Sequence, residues 1–373
     1  MSAERETRGN AGAPETAARY SMPPEWWPHR ATWLAWPHRT DDWPGKFEPI
    51  PWVMVEIVRV LQKSEPVHLL VQDAATEAQA RHLLQRSGVS GHGLTFHRVP
   101  TDRAWTRDYG PTFVFCGETL TALKWQFTGW ARYADYCLDE SAGVEIAARS
   151  GCPTVYPTYR GRRVVLEGGG IDVNGLGDLL TTEEWLLSAE QVRNPGLTRA
   201  DYEALFRTYL GVRQVHWLRH GLPGDDTHGH VDDLARFVGP HTVVACYEQD
   251  RQAPQHDLLA ENLDILRSRS NVAGQPLEVV LLPLPERRVF DEYVLPASYA
   301  NFYIANKAVL VPTYNCPQDR LALETLAQLF GDRTVVGIYC GDLILGLGAI
   351  HCLTQQQPAA SHGRVALPSA APA

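Results

Sequence analysis

No stretch of this sequence approaches the ~20 consecutive apolar residues that a membrane-spanning helix requires, so a protein of that kind is not expected. The opening residues, MSAERETRGNAGAPETAARY, also lack the apolar core of a secretory signal, and a cytoplasmic protein is the expectation. Lysine and arginine form no run, and 34 of them stand against 43 acidic residues, a formal net charge of −9. That sign gives no electrostatic footprint for nucleic acid or an anionic membrane and suits a small cationic ligand better. The seven cysteines, at 116, 137, 152, 246, 316, 340 and 352, are odd in number and contain no CxxC pair. They read as reduced thiols, with neither a disulfide framework nor a zinc finger behind them. No Pro/Ser-rich linker interrupts the chain, so one closed domain is expected across residues 20–358. The small, polar, Pro/Ala-rich ends, 1–19 and 359–373, read as mobile tails.

What is present is the composition of an ordinary globular protein, 44% hydrophobic and 21% charged. Amphipathic periodicity predicts helices at WVMVEIVRVLQK, ATEAQARHLLQRS, AGVEIAARS, TRADYEALFRTYL, DLLAENLDILRSR and DRLALETLAQLF. Short β-rich runs lie between them: VHLLV, LTFHRV, PTFVF, RVVLEGG, DLLTT, QVHWL, TVVACY, LEVVLL, KAVLVPT and TVVGIY. The alternation makes the class α/β or α+β. The later helices recur at roughly 50 to 60 residues, a spacing compatible with a repeated strand–helix unit.

Five stretches concentrate polar and glycine residues beyond what a core needs. GLGAIHCLTQQQP places Cys352 after a glycine-bordered apolar approach and directly behind His351, a setting suited to a thiol nucleophile. Its GLG lacks the third glycine and the βαβ context of a dinucleotide site, so no such cofactor is expected. RAWTRDYGP holds Trp105 and Asp108, either as a charged turn before a strand or as a binding loop. VVLEGGGIDVNG brings Glu167 to three glycines that permit close approach of a ligand. HGLPGDDTHGHVDDLARF carries Asp226, His228, His230 and Asp232. On an extended strand, His228 and His230 would point the same way and could chelate a metal, or Asp232 could orient His230 as an acid–base group. The tryptophan-rich MPPEWWPHRATWLAWPHRTDDWPG reads as core mass, or in part as the wall of a cation pocket. One thiol, one histidine and several carboxylates fit hydrolysis of a guanidinium. Carboxylates pair with its N–H groups, a thiolate attacks its carbon, and a histidine protonates departing ammonia before activating water.

The ordered motifs MPPEWWPHRATWLAWP, WTRDYGPTFV, LEGGGIDVNGLGDLLTTEEWLLS followed by RNP, DDTHGHVDDLARFV, YANFYIANKAVLVPTY and IHCLTQQQP together resemble the agmatine deiminase family, related to the bacterial peptidylarginine deiminases. The resemblance runs from about Tyr20 to Pro358. It implies a pentein fold, a pseudo-fivefold α/β propeller of ββαβ modules around a central channel, and a cofactor-free hydrolase with no metal. It also implies Cys352 as nucleophile, His230 as general acid/base, and Asp108, Glu167 and Asp232 as guanidinium-binding carboxylates. Trp105 would line the channel, Asp226 would lie near the distal amine of the substrate, and a homodimer or homotetramer is expected. Two departures stand out. DTHGHVDD replaces the usual ETNGHVDN, and GLGAIHC replaces GGGNIHC, which puts Leu347 where relatives carry a glycine.

Overall fold

The computed structural model describes residues 20–89 and 91–360. One pattern recurs five times around the chain: a short strand pairs antiparallel with a second, a helix follows, and a third strand returns parallel to the second. The first module is Thr112–Cys116, Thr119–Leu123, helix Cys137–Arg149 and Thr154–Val155. The second is Asp172–Val173, Asp178–Thr182, helix Arg199–Leu210 and Gln214–Leu218. The third is Ala235–Phe237, Thr242–Tyr247, helix His256–Arg267 and Glu278–Pro283. The fourth is Tyr303–Ile304, Ala308–Thr313, helix Gln318–Leu329 and Thr334–Tyr339.

The fifth module closes the ring by joining the two ends of the chain. Its first strand is Gln355–Pro358, which pairs antiparallel with His29–Ala35. Helix Ile50–Leu61 then leads to the parallel strand Val67–Val71, and Leu94–Arg98 extends that sheet. Repetition of one ββαβ unit around a channel is the pentein α/β propeller. It accounts for the missing linker, because the modules close into one ring through the pairing of the chain's two ends.

Local sequence accounts for the modules. Ile50–Leu61 has Pro51 in its first turn, where a missing N–H costs nothing, and buries Val53, Met54, Ile57, Val58 and Leu61 on one stripe. Burial of each such side chain stabilises by roughly 1.5–3 kcal/mol. Arg199–Leu210 starts on a reciprocal capping box between Thr198 and Asp201 and stops at Gly211, whose φ of 71° is the left-handed cap that glycine adopts without a Cβ penalty.

All six expected helices are present. RVVLEGG is not a regular strand: Arg162–Arg163 forms a two-residue ladder and the chain then runs irregularly to a 3-10 turn at Gly168–Gly170. The glycines take the backbone out of the sheet before Glu167 can continue a ladder. Of the expected tails 1–19 and 359–373, residues 1–19 and 361–373 lie outside the described residues. Ala359 is anchored, donating its N–H to Pro28 O at 2.7 Å and accepting from Trp27 Nε1 at 3.1 Å. No described helix is long and apolar enough to cross a membrane.

Candidate active site

Every module delivers a polar residue from the segment just ahead of its first strand. Asp108 precedes Thr112–Cys116 and sits in the single-turn helix Thr106–Tyr109. Glu167 precedes Asp172–Val173. His230 and Asp232 precede Ala235–Phe237, Asn301 precedes Tyr303–Ile304, and Cys352 precedes Gln355–Pro358. All six are buried, with Cys352 at 9% exposure. Pseudosymmetry therefore concentrates chemistry that is scattered over 245 positions of sequence into one interior cluster.

Glycine makes the convergence possible. A Cβ built on Gly169 would stand 2.6 Å from His230 Nδ1, 2.9 Å from an Asp108 oxygen and 3.1 Å from an Asp232 oxygen. Three functional side chains thus meet against one bare Cα. Asp108 Oδ1 accepts the Gly169 N–H at 2.9 Å and Oδ2 accepts Trp130 Nε1–H at 2.8 Å. Glu167 accepts from Trp185 Nε1 at 2.7 Å and from Arg193 Nε at 3.1 Å, and it lies 3.5 Å from His230 Nε2. Asp232 Oδ2 contacts His351 Nδ1 at 2.7 Å, and the far ring nitrogen of His351 contacts Glu25 at 2.8 Å. Asp232 Oδ1 is buried with no hydrogen-bond partner, a lone acceptor that a ligand N–H could satisfy.

The charges set distinct protonation tendencies. Burial disfavours a charged His230, but Asp108, Glu167 and Asp232 outweigh it and raise its pKa to about 9. Burial pushes Glu167 up, yet Arg193 and His230 pull it down to about 2. Burial and the anions Asp232, Asp233 and Asp108 hold the Cys352 thiol well above its ordinary range. Asp108 is raised as well, mainly by burial. The free site therefore keeps its histidine charged and its thiol protonated at neutral pH.

Cys352 lines a cavity of about 530 Å³ together with Trp105, Asp108, Trp130, Tyr133 and Asp226. Six aspartates and three arginines line it, which favours a cation. Asp226 accepts Tyr133 O–H at 2.6 Å and is raised by burial to about 6. Gly346 and Gly348 serve close approach, since a Cβ on either would come within 2.9 Å of the Trp105 ring. Neither has a positive φ; the left-handed residue of GLG is Leu347, at φ 65°. Leu347 lines the cavity in a conformation that a glycine would adopt without cost.

The site corrects several sequence expectations. Cys352 is buried and lines the cavity. His230 and Asp232 do not share a strand face: Val231–Asp233 is a 3-10 turn with His230 at its start, so His230 turns to Glu167 and Asp108 while Asp232 turns to His351. His228, at φ 65°, points instead to Ser188 at 3.1 Å and Glu184 at 3.8 Å, so the two histidines do not form a chelating pair. Among the described residues no group of three or more His, Cys, Asp or Glu side chains is disposed to hold a metal. The N-terminal tryptophans do not wall the cavity: Trp33, Trp36 and Trp43 are core, and Trp105 and Trp130 form the aromatic wall. Trp130, Trp185, Arg193, Asn301 and Glu25 received no role from sequence. Asn301 could have been sought at the place in the fourth module where the others carry Asp108, Glu167, His230 and Cys352.

This architecture belongs to the pentein hydrolases that cleave C–N bonds of linear amidines, and the chain is a guanidine-deiminating member of that class. More narrowly, the sequence pattern of the Porphyromonas-type peptidyl-arginine deiminase family matches residues 21–358, and the chain belongs to that family. A Selenomonas ruminantium protein named "Putative agmatine deiminase" is 34% identical over 365 residues, spanning 91% of this chain and 96% of the relative. The structure of Enterococcus faecalis agmatine deiminase superimposes with a TM-score of 0.85 at 29% identity, covering 95% of this chain and 100% of the other. A cysteine-to-serine variant of C. jejuni agmatine deiminase with substrate bound superimposes with a TM-score of 0.81 at 26% identity, covering 91% and 97%.

Proposed function

We propose that the protein converts agmatine and water to N-carbamoylputrescine and ammonia through a covalent thiouronium on Cys352, in the cytosol and as a step toward polyamines. The observation that carries this reading is the position of Cys352 on the wall of an aspartate-rich cavity, 3.7 Å from Asp232, a carboxylate whose Oδ1 has no partner. That oxygen and the Asp108 carboxylate can accept guanidinium N–H groups, with Glu167 contributing chiefly by holding His230. The bound cation offsets the anions that disfavour the thiolate, so Cys352 loses its proton when substrate arrives.

Sγ then bonds to the guanidinium carbon. His230, charged at neutral pH, donates its proton to the departing nitrogen as the C–N bond breaks and ammonia leaves. The neutral imidazole next takes a proton from water; the hydroxide oxygen bonds to the thiouronium carbon, the C–S bond breaks to release the thiolate, and the hydroxyl proton left on the ureido oxygen is lost to solvent. Names of the relatives support the substrate, as does the excess of aspartates, which suits a distal ammonium close to Asp226.

A second reading takes arginine or a peptidyl C-terminal arginine as substrate. It is favoured by Arg132, which lines the cavity, acts electrostatically on Asp226 and lies over the Tyr133 ring at 5.7 Å. A carboxylate on the substrate would have that cation to meet. Turnover of agmatine, arginine and C-terminal arginyl peptides, followed by ureido colour formation, decides between them. Agmatine preferred by tenfold or more in kcat/KM supports the first reading, and arginine preferred supports the second. Sedimentation of the purified chain tests the proposed dimer or tetramer.

A further inference from the structure

We propose that Asn301 is a catalytic residue of this site, the donor that stabilises the Cys352 thiolate as it attacks and again as it departs. Its side-chain nitrogen lies 3.1 Å from Sγ. The amide orientation is fixed by its other end, because Oδ1 accepts the His351 N–H at 2.9 Å and the Cys352 N–H at 3.4 Å. The NH2 group therefore faces the sulfur, together with Asp232 Oδ2 at 3.3 Å and Asp233 Oδ1 at 3.0 Å.

The surroundings explain why such a donor matters. Asp232, Asp233 and Asp108 all act against a sulfur anion, and the Tyr314 ring adds no charge to offset them. His351, next in the chain, directs its ring to Asp232 and Glu25, and Arg107 reaches this loop through the carbonyls of Cys352 and His351 rather than through sulfur. Asp232, the other side chain within reach of Sγ at 3.7 Å, can only accept while ionised. Asn301 is thus an uncharged side-chain donor placed against the nucleophile, beside a backbone hydrogen bond from Ala349, and it is fully buried and held by two backbone amides so that it needs no reorganisation during the reaction. The inference uses the proposed thiol route, in which the same sulfur must be an anion twice.

The test compares wild type with Asn301→Asp, which retains an acceptor for both backbone amides but loses the donor, and with Asn301→Ala. Alkylation of Cys352 by iodoacetamide at pH 8, without substrate, is followed by mass spectrometry of the Cys352 peptide. We expect at least a tenfold slower alkylation in both variants, and kcat on agmatine reduced at least tenfold with KM within threefold. Alkylation at the wild-type rate, or a raised KM with kcat kept, would overturn the proposal and leave Asn301 a scaffold for the loop. If Asn301→Ala does not fold, Asn301→Asp carries the comparison, and failure of both to fold equally overturns it. Because alkylation is read on the free enzyme, a wild type that turns over no guanidine contradicts the proposed function alone.

Discussion

Gly169→Ala adds one methyl group at the point where the site converges. The new Cβ would lie 2.6 Å from His230 Nδ1, 2.9 Å from Asp108 and 3.1 Å from Asp232, all well inside van der Waals contact. None of the three can swing away freely. His230 packs edge-on against Trp185 at 5.3 Å, Asp108 is tied to Trp130, and Asp232 is tied to His351. The overlap must therefore displace the reacting groups by a sizeable fraction of an ångström, and a misplacement of about 1 Å costs on the order of a hundredfold in rate. Overpacking of this kind destabilises by about 1–3 kcal/mol, which lowers the melting temperature without unfolding the protein. Ammonia release from agmatine should fall roughly ten- to a hundredfold in Gly169→Ala. Gly331→Ala, where a Cβ meets nothing within 4 Å, should match wild type. Turnover by folded Gly169→Ala within threefold of wild type would refute the convergence of Asp108, His230 and Asp232 on the substrate.

Other outcomes follow from the same geometry. Trp130→Phe removes the donor to Asp108, and a hydrogen bond to a charged acceptor is worth about 1.5–3 kcal/mol, so kcat/KM for agmatine should fall roughly ten- to a hundredfold. Leu347→Gly relieves a left-handed leucine and loosens the unfolded chain by comparable amounts, so stability should stay within about 1 kcal/mol while the channel admits guanidines with bulkier stems. A substrate panel and a thermal melt check both halves. The His230 pKa of about 9 lies above the ordinary histidine value of about 6.5, so its stabilising contribution is complete below about pH 6.5 and disappears as pH rises to about 9. Melting temperature should decline across that window in wild type and decline less in His230→Gln. The alkaline limb of kcat/KM should likewise fall above about pH 9, where His230 no longer carries its proton.

Much of this protein is legible in its sequence because helix periodicity and motif order survive without structure. The stripe in WVMVEIVRVLQK and the alternation of β-rich runs are local signals, and the helices Ile50–Leu61 and Arg199–Leu210 follow them closely. Strand Gln355–Pro358 was not legible: three glutamines carry no apolar alternation, and only pairing with His29–Ala35 at the other end of the chain makes them a strand. Cys352, His230, Glu167, Asp108 and Asp232 stood out as chemical types beside glycines. Their partners did not, since Trp130, Trp185 and Arg193 look like core and surface residues until the modules bring them to Asp108 and Glu167. Leu347 was visible as a departure from GGGNIHC, but its left-handed backbone and its place on the cavity wall were not.

The proposed reaction requires a carbon–sulfur bond at Cys352. Rapid acid quench of the enzyme during agmatine turnover, followed by mass spectrometry of the Cys352 peptide, reads that bond directly. A peptide heavier by the mass of agmatine less ammonia is expected in wild type and is expected to be absent from Cys352→Ala, which should also release no ammonia. Undiminished ammonia release by folded Cys352→Ala, with no adduct in wild type, would contradict that reaction.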